Sequence, residues 1–497
     1  MAAHYLLGVD IGTYSSKGVL VKETGEVVAS LAIEHGVDMP QPGYYEHDPE
    51  EVWWHDFLRI CHALLHDSGV DSRQVVGVGI STISPAIVPV DGQGRALRPA
   101  ILYGIDTRAT EEIAELERLT GAKLTSQSAA PKVLWIRRKE PEIWAKTRLI
   151  VNGSGYLNLK LTGEATIDIY DAAIFAPLFD LHTLAWSKEV APYVAPLDKL
   201  PRPTWSCEIA GRITPEAARA TGLLAGTPVI TGTADAAAEA ISAGLSEVGD
   251  MMVMYGSSTF FILKTAQLAN PLRFWSSPFL EKDTYVVTGG TATAGSLTKW
   301  FRDQFGYPEL EAERAGRGNA YAILARLAET APIGARGLVV LPYFAGERTP
   351  IHDPAAKGVI FGLTLSHTRA DIYRAILEAV GYAIRHNLEI MREEGIMARR
   401  ILAVGGGTQN TFWMQLVSDI ANITQYIPEQ QIGASYGDAF MAGVGVGLFS
   451  HTTEVSKWVR VKQVIYPNPE AYNLYDPYYR IFRKLYENTA DLMHQIS

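Results

Sequence analysis

The 497-residue chain contains only two cysteines, Cys61 and Cys207, far apart and without metal-ligand spacing. That excludes a disulfide-dense secreted scaffold and points to a reducing compartment. No apolar run approaches membrane-spanning length; the longest are strand-sized and broken by glycine or charge. The amino terminus enters a strand-like run at once, without the charged and apolar stretches of a secretory leader. The expectation is a cytoplasmic protein with no membrane partner. Positive charge is also short: 44 Lys and Arg against 54 Asp and Glu leave a formal charge of -10. With no basic stripe to offset it, nucleic acid is excluded as a primary partner. Two familiar glycine signatures, GxxxxGKS/T and GxGxxG, are missing as well, and both of those feed a helix.

What is present describes a globular protein: 47% hydrophobic and 20% charged residues. Its length exceeds one ordinary core, so two large domains are expected. The chain opens on an apolar run, Tyr5 to Val9, that delivers Asp10-Ile11-Gly12-Thr13-Tyr14-Ser15-Ser16-Lys17. A second apolar run, Gly18 to Val21, follows, and Glu23 to Glu26 marks a further turn. This predicts an antiparallel meander rather than a strand-to-helix loop. An acid at a strand end, then glycine, hydroxyls and a lysine, suits a metal-bound phosphate; a turn chosen for geometry alone is the competing reading.

The pattern restarts at Met251 to Tyr255, Gly256-Ser257-Ser258-Thr259 and Phe260 to Leu263. That echo suggests a duplicated architecture with boundaries at 1–245 and 246–497. Before it, Val229 to Asp235 reads as a strand ending on an acid, with small residues Ala236 to Ala238 behind it. Gly289-Gly290 opens another Gly/Thr loop ahead of Ser296, and Gly405-Gly406-Gly407 breaks a buried strand before a helix. Asp48-Pro49-Glu50-Glu51 predicts a helix start, with Asp48 as N-cap. The last helix, from Tyr472 through Leu492, is amphipathic, and its aromatics are read as core.

Taken in order, these pieces resemble the FGGY carbohydrate kinases, of the sugar kinase, heat-shock protein and actin superfamily. The resemblance is carried by the Asp10 loop, Gly43 to Trp54, and Leu161-Thr162-Gly163-Glu164 with Asp168 and Asp171. Gly222-Leu223, Leu341 to Pro350, Lys357-Gly358, Gly362-Leu363, Gly405 to Gly407 with Trp413 and Gln415, and Gly437-Asp438-Ala439 extend it. It implies an α/β fold of two actin-like (ribonuclease H-like) ATPase domains flanking a central cleft. Each would hold a mixed five-stranded sheet, the first binding sugar and phosphate, the second nucleotide. The implied reaction is ATP-dependent phosphorylation of a hydroxyl of a small sugar.

In that scheme Asp235 is the general base, with helix capping as its bland alternative. Asp10 holds Mg²⁺, while Gly12, Thr13, Ser15 and Lys17 surround the ATP phosphates. Gly256, Ser257 and Gly290 complete the phosphate side, and Gly406 and Asn410 contact the adenosine part. Ser81, Ile83, Ser84, Tyr103, Asp106 and Asp235 form the expected acceptor set, with Asp106 and Arg108 either lining or bracing it. Glu347-Arg348 is expected to be a structural ion pair, and Asp168 and Asp171 to be loop and cap acids. Ile83-Ser84-Pro85 stands where xylulose-phosphorylating members carry Gln-Met-His, and the Arg-Glu pair of glycerol-phosphorylating members is absent. The implied acceptor is a ketopentose such as xylulose. Ribulose, erythritol or another polyol, gluconate, or a non-catalytic nucleotide-dependent sugar binder stand as alternatives, and a homodimer is compatible with all of them.

Overall fold

The computed structural model describes residues 3–496. The chain forms two compact units. Residues 1–246, 277–285 and 432–459 make the first; residues 247–276, 286–431 and 460–497 make the second. The expected cut near residue 245 is therefore only the first of several crossings. The stretches 277–285 and 432–459 lie in the unit expected to end before them.

The first unit is built on a sheet in the order Ile209–Arg212, Pro228–Ile230, Val75–Thr82, Tyr5–Ile11, Ser15–Lys22, Val27–Glu34. Tyr5–Ile11, Ser15–Lys22 and Val27–Glu34 are an antiparallel meander, as their alternation predicts. Val75–Thr82 runs parallel to Tyr5–Ile11, pairing Ser81 with Asp10. Thr233–Ala234 runs parallel to its other edge, pairing Thr233 with Ser81. The register thus brings Asp10 and the chain entering Asp235 to the carboxyl ends of neighbouring parallel strands. That end of a parallel sheet is where α/β proteins bind ligands.

A helix from late in the sequence, Ala434–Gly445, covers this sheet, and glycine lets it come close. A Cβ on Gly8 would lie 1.9 Å from the Ser435 carbonyl oxygen, and one on Gly79 would lie 2.1 Å from that of Asp438. No side chain fits in either gap, so backbone rests on backbone. This approach carries Asp438 in beside Ser81.

The second unit repeats the plan. Asp250–Tyr255 and Thr259–Thr265 form an antiparallel hairpin, and Arg400–Val404 lies parallel to the first of them. Its sheet runs Trp275–Pro278, Tyr285–Thr291, Thr259–Thr265, Asp250–Tyr255, Arg400–Val404, Gln425–Pro428, Val461–Ile465. Each sheet carries seven strands rather than five, because short edge strands extend the central set. The helices Arg369–Glu393 and Pro469–Gln495 pack here, the latter burying Tyr475, Tyr479, Phe482 and Leu485. Among the described residues no helix is long and apolar enough to cross a membrane.

Candidate active site

The acids of the first unit converge at the strand ends. Asp10 is buried at the end of the opening strand, and its burial, only partly offset by Lys17, pushes its carboxyl up to about 7. Ser81 lies between Asp10 and Asp438, with its hydroxyl 2.7 Å from Asp438 Oδ2 and 3.3 Å from Asp10 Oδ1. One hydroxyl proton cannot serve both acceptors. Burial, then the charge of Asp10, raises the Asp438 carboxyl well above its usual range. The Ser81 hydroxyl donates to Asp438 Oδ2 at the shorter distance, with Asp10 Oδ1 as the longer contact.

Asp235 is the first residue of the helix Asp235–Ser242. Its Oδ1 accepts the Ala236 N–H at 2.7 Å, while Oδ2 has no hydrogen-bond partner among the described residues. Burial and the charge of Asp10 push its carboxyl up to about 8, against the pull of the Ala236 N–H. Helix-end hydrogen bonding and an available carboxylate oxygen therefore coexist, one on each oxygen. Glu239, one turn on, is raised to about 7 by burial, with Lys17 opposing, and accepts from the Ala434 N–H. Lys17 is thus the cation that faces two of these acids, Asp10 and Glu239.

The loop after Asp10 is anchored from below. Gly12 N–H donates to the Ser15 carbonyl at 2.9 Å, closing the turn, so that donor is committed. Thr13 Oγ1 donates to the Tyr103 hydroxyl at 3.2 Å. The Trp53 indole N–H donates to His47 Nδ1 at 3.1 Å, which places the ring proton on Nε2, and Nε2 donates to the Thr13 carbonyl at 3.1 Å. Burial pushes the His47 ring down to about 4, so it stays neutral and keeps this tautomer. The site of His47 is prepared locally: Asp48 caps the following helical turn through the Glu50 and Glu51 N–H groups, as expected.

Around Asp235 the acceptor set is revised. Ser84 donates to Asp171, and its carbonyl accepts from Gln127 Nε2 at 3.0 Å. Gln127 Oε1 in turn accepts the Gly104 N–H at 2.9 Å. Ser84, Tyr103 and Gln127 thus form a part-exposed polar rim. Ile83 does not line it: it is buried in the apolar core of the unit. Ser81 is fully buried and occupied by the two acids. Asp106 braces; its oxygens accept from Arg108 at 2.7 to 3.2 Å and from the Tyr45 N–H at 2.7 Å. Arg108 also reaches Glu46 at 2.7 Å, so the whole group is a buried ion network.

Asp168 and Asp171, expected as loop and cap acids, stand at the N-cap and in the first turn of the helix Ile169–Ala173 and are buried beside the strand that delivers Asp235. Asp168 Oδ2 accepts from Thr233 at 2.8 Å and Ser206 at 3.0 Å, while its Oδ1 has no partner. Asp171 accepts from Asn152 at 2.6 Å as well as from Ser84. Burial, then the charge of Asp171, lifts Asp168 well above the carboxylate range; burial lifts Asp171 to about 6. Asp171 also bears on Asp235, raising it further. Glu239, Asp438 and Gln127 carry no chemical motif of their own. Only Gly437-Asp438-Ala439, among the stretches carrying the family resemblance, marks one of them.

In the second unit, Gly256 and Ser257 form the hairpin turn, and their carbonyls accept from Gly295, Ala294 and Ser296 at a helix start. Ser257 is exposed. Gly406 has open space where a side chain would stand. Asn410 Oδ1 caps the helix Thr411–Ala421 through the Trp413 N–H at 3.0 Å. Gly290 is different: its N–H and carbonyl both bond to Thr349, and a Cβ there would lie 2.2 Å from the Thr259 carbonyl. It is a packing glycine with no donor to spare. Glu347 makes no ion pair with Arg348 among the described residues. Its Oε1 accepts the Ala292 and Arg348 N–H groups at 2.7 Å, and burial pushes it up to about 8.

Among the described residues no three His, Cys, Asp or Glu side chains form a ready-made metal cage. Mg²⁺ does not need one, since it commonly takes one or two carboxylates and completes its shell with water and phosphate. Asp10, buried with its charge only partly balanced by Lys17, and the unpartnered Asp438 Oδ1 offer the oxygen donors it prefers.

Two duplicated α/β units, with acids gathered at the carboxyl ends of parallel strands, define a two-domain phosphotransferase of the sugar-kinase type. The chain belongs to the FGGY family of carbohydrate kinases: the family's N-terminal domain matches residues 5–242 and its C-terminal domain residues 251–446. It is 32% identical to xylulose kinase of Escherichia coli (98% of this chain, 99% of that one). It is 30% identical to xylulose kinase of Staphylococcus epidermidis over 99% of this chain and 98% of the other. The crystal structure of xylulose kinase from Rhodospirillum rubrum superposes with a TM-score of 0.91 at 31% identity, covering 99% and 100% of the two chains. The protein is a sugar phosphotransferase.

Proposed function

We propose that this kinase transfers the terminal phosphoryl group of ATP to a hydroxyl of a ketopentose, with xylulose as the first candidate. The observation that carries the reading is Asp235. One of its oxygens is held by the Ala236 N–H, and the other is unpaired beside small residues that allow a sugar to approach. A carboxylate so placed takes the proton of the attacking hydroxyl as the bond to phosphorus forms. Burial, then the charge of Asp10, raises this carboxyl to about 8, so the ionised form that acts as the base grows as pH rises towards 8. The xylulose kinases at 30–32% identity support the choice of sugar.

Phosphoryl transfer depends mainly on positioning and charge neutralisation. Asp10, aided by the Ser81–Asp438 chain, holds the place for Mg²⁺, which when bound neutralises phosphate charge. Thr13, Ser15 and Lys17 supply donors and a cation on the same loop, whose backbone His47 fixes. Ser84, Gln127 and Tyr103 orient the sugar against Asp235. Gly256, Ser257, Gly406 and Asn410 remain the nucleotide candidates of the second unit; Gly290 is withdrawn for want of a free donor.

Gluconate is the second acceptor to test. A gluconokinase of Bacillus subtilis is 27% identical over 93% of this chain. ADP release measured with D-xylulose, D-ribulose, erythritol, glycerol and gluconate decides between them. Xylulose should give the highest kcat/KM. A higher value for any other acceptor refutes the ketopentose assignment, and no turnover on the panel refutes small-sugar phosphorylation itself.

A further inference from the structure

The second unit contains a cavity of about 260 Å³ that the reaction does not use. Arg273, Tyr343, His386, Phe482, Arg483 and Glu487 surround it. His386 and Tyr343 are 6% and 2% exposed, yet neither the imidazole nor the phenol hydroxyl hydrogen-bonds to any described protein group. Both side chains line the cavity, so a group bound there can accept from the imidazole N–H and the phenol hydroxyl. Burial, then the charges of Arg483 and Arg273, push the His386 ring down to about 3, so it is neutral with one N–H to donate.

The two guanidiniums are incompletely used. Arg273 is exposed and pairs with no carboxylate among the described residues. Arg483 Nη1 lies 3.3 Å from the Tyr479 hydroxyl and 3.9 Å from Glu389, beyond a close ion pair. Glu487, the one acid in the wall, is exposed and pairs with neither of them. Two cations beside two neutral donors suit a phosphate group, which offers three oxygens and more charge than a carboxylate. The volume is below the roughly 300 Å³ at which drug-sized pockets begin, which excludes a nucleotide. Phe482 adds an apolar wall for a short carbon body.

We propose that this cavity binds a compact phosphate, either inorganic phosphate or the phosphate group of a small monoester, at a site separate from the Asp10–Asp235 centre. The proposal stands whichever acceptor the kinase uses.

Isothermal titration of the full-length protein with inorganic phosphate and, separately, with a pentulose 5-phosphate tests it. ATP is omitted, and the parent is compared with Arg273→Ser/Arg483→Gln and with His386→Leu. Losing charge-assisted hydrogen bonds should weaken one binding event about tenfold or more in the double variant. The KM for ATP and the thermal midpoint should stay at parental values. Tighter binding of the monoester, or equal binding of both, supports the site and tells whether the carbon body is read. No binding at 10-millimolar order ligand, or isotherms unchanged in all variants, overturns it. Because His386→Leu fills its own volume, a folding defect in one variant leaves the other to decide.

Discussion

Replacing Asp235 with asparagine should make the ligand-free protein more stable while removing its activity. In an unfolded chain this carboxyl ionises near 3.8; in the folded protein it sits at about 8. A raised carboxyl binds its proton more tightly when folded, so its contribution to stability is lost progressively as pH rises from about 4 and is gone by about 8. At pH 7 the window from 3.8 corresponds to a ceiling of about 4 kcal/mol, at 1.36 kcal/mol per pH unit. Water at the partly open carboxylate reduces the expected gain to about 1–2 kcal/mol. Asparagine keeps the acceptor for the Ala236 N–H and removes the buried charge that Asp10 opposes. The assay is thermal unfolding of parent and Asp235→Asn from pH 5 to 8. The variant should melt higher, with a gap that is small at pH 5 and widens towards pH 8. Turnover should fall by about 10²–10⁴, the usual contribution of a general base. A variant less stable at every pH, or a gap independent of pH, refutes the electrostatic reasoning; turnover within tenfold of parent refutes the base.

Three further substitutions probe the scaffold. Gly79→Ala places a methyl 2.1 Å from the Asp438 carbonyl; it should cost about 1–3 kcal/mol and lower turnover, read by urea unfolding and ADP release. Arg108→Leu leaves Asp106 buried without its guanidinium partner, while Glu46 keeps Arg98; it should cost about 3–5 kcal/mol, seen as an earlier urea transition of the first unit. His47→Leu strands the Trp53 N–H and the Thr13 carbonyl. It should cost about 1–3 kcal/mol and raise the KM for ATP more than it lowers kcat; an unchanged KM argues against a role in holding the loop.

The meander, the buried strand ending before Asp235, the helix start at Asp48 and the family resemblance were all legible in the chain. They are local: alternation of apolar residues, turn glycines and caps act over a few positions. Asp10 and Asp235 were visible too, as acids that each end a strand-like run, while the roles proposed for them rest on the family resemblance. The acceptor residues were read less well. Ile83, Ser81 and Asp106 sit at plausible sequence positions, but which way a side chain faces depends on what packs against it. Ile83 turned into the core, Ser81 between two acids, and Asp106 onto Arg108.

The sequence by itself determined two units and their order, because periodicity and turn chemistry do not need long-range contacts, and its ordered motifs carried the family resemblance that implies an α/β fold and the chemistry of a sugar kinase. Only the tertiary structure decided that residues 432–459 return to the first unit. There the Gly8 and Gly79 gaps admit the helix bearing Asp438, closing the Asp438–Ser81–Asp10 chain. The sequence separation between Ser81 and Asp438 hides that contact from any local pattern. Burial then sets the ionisation of Asp10, Asp235, Glu239 and Asp438, since desolvation is a property of the packed neighbourhood, and no residue carries it alone.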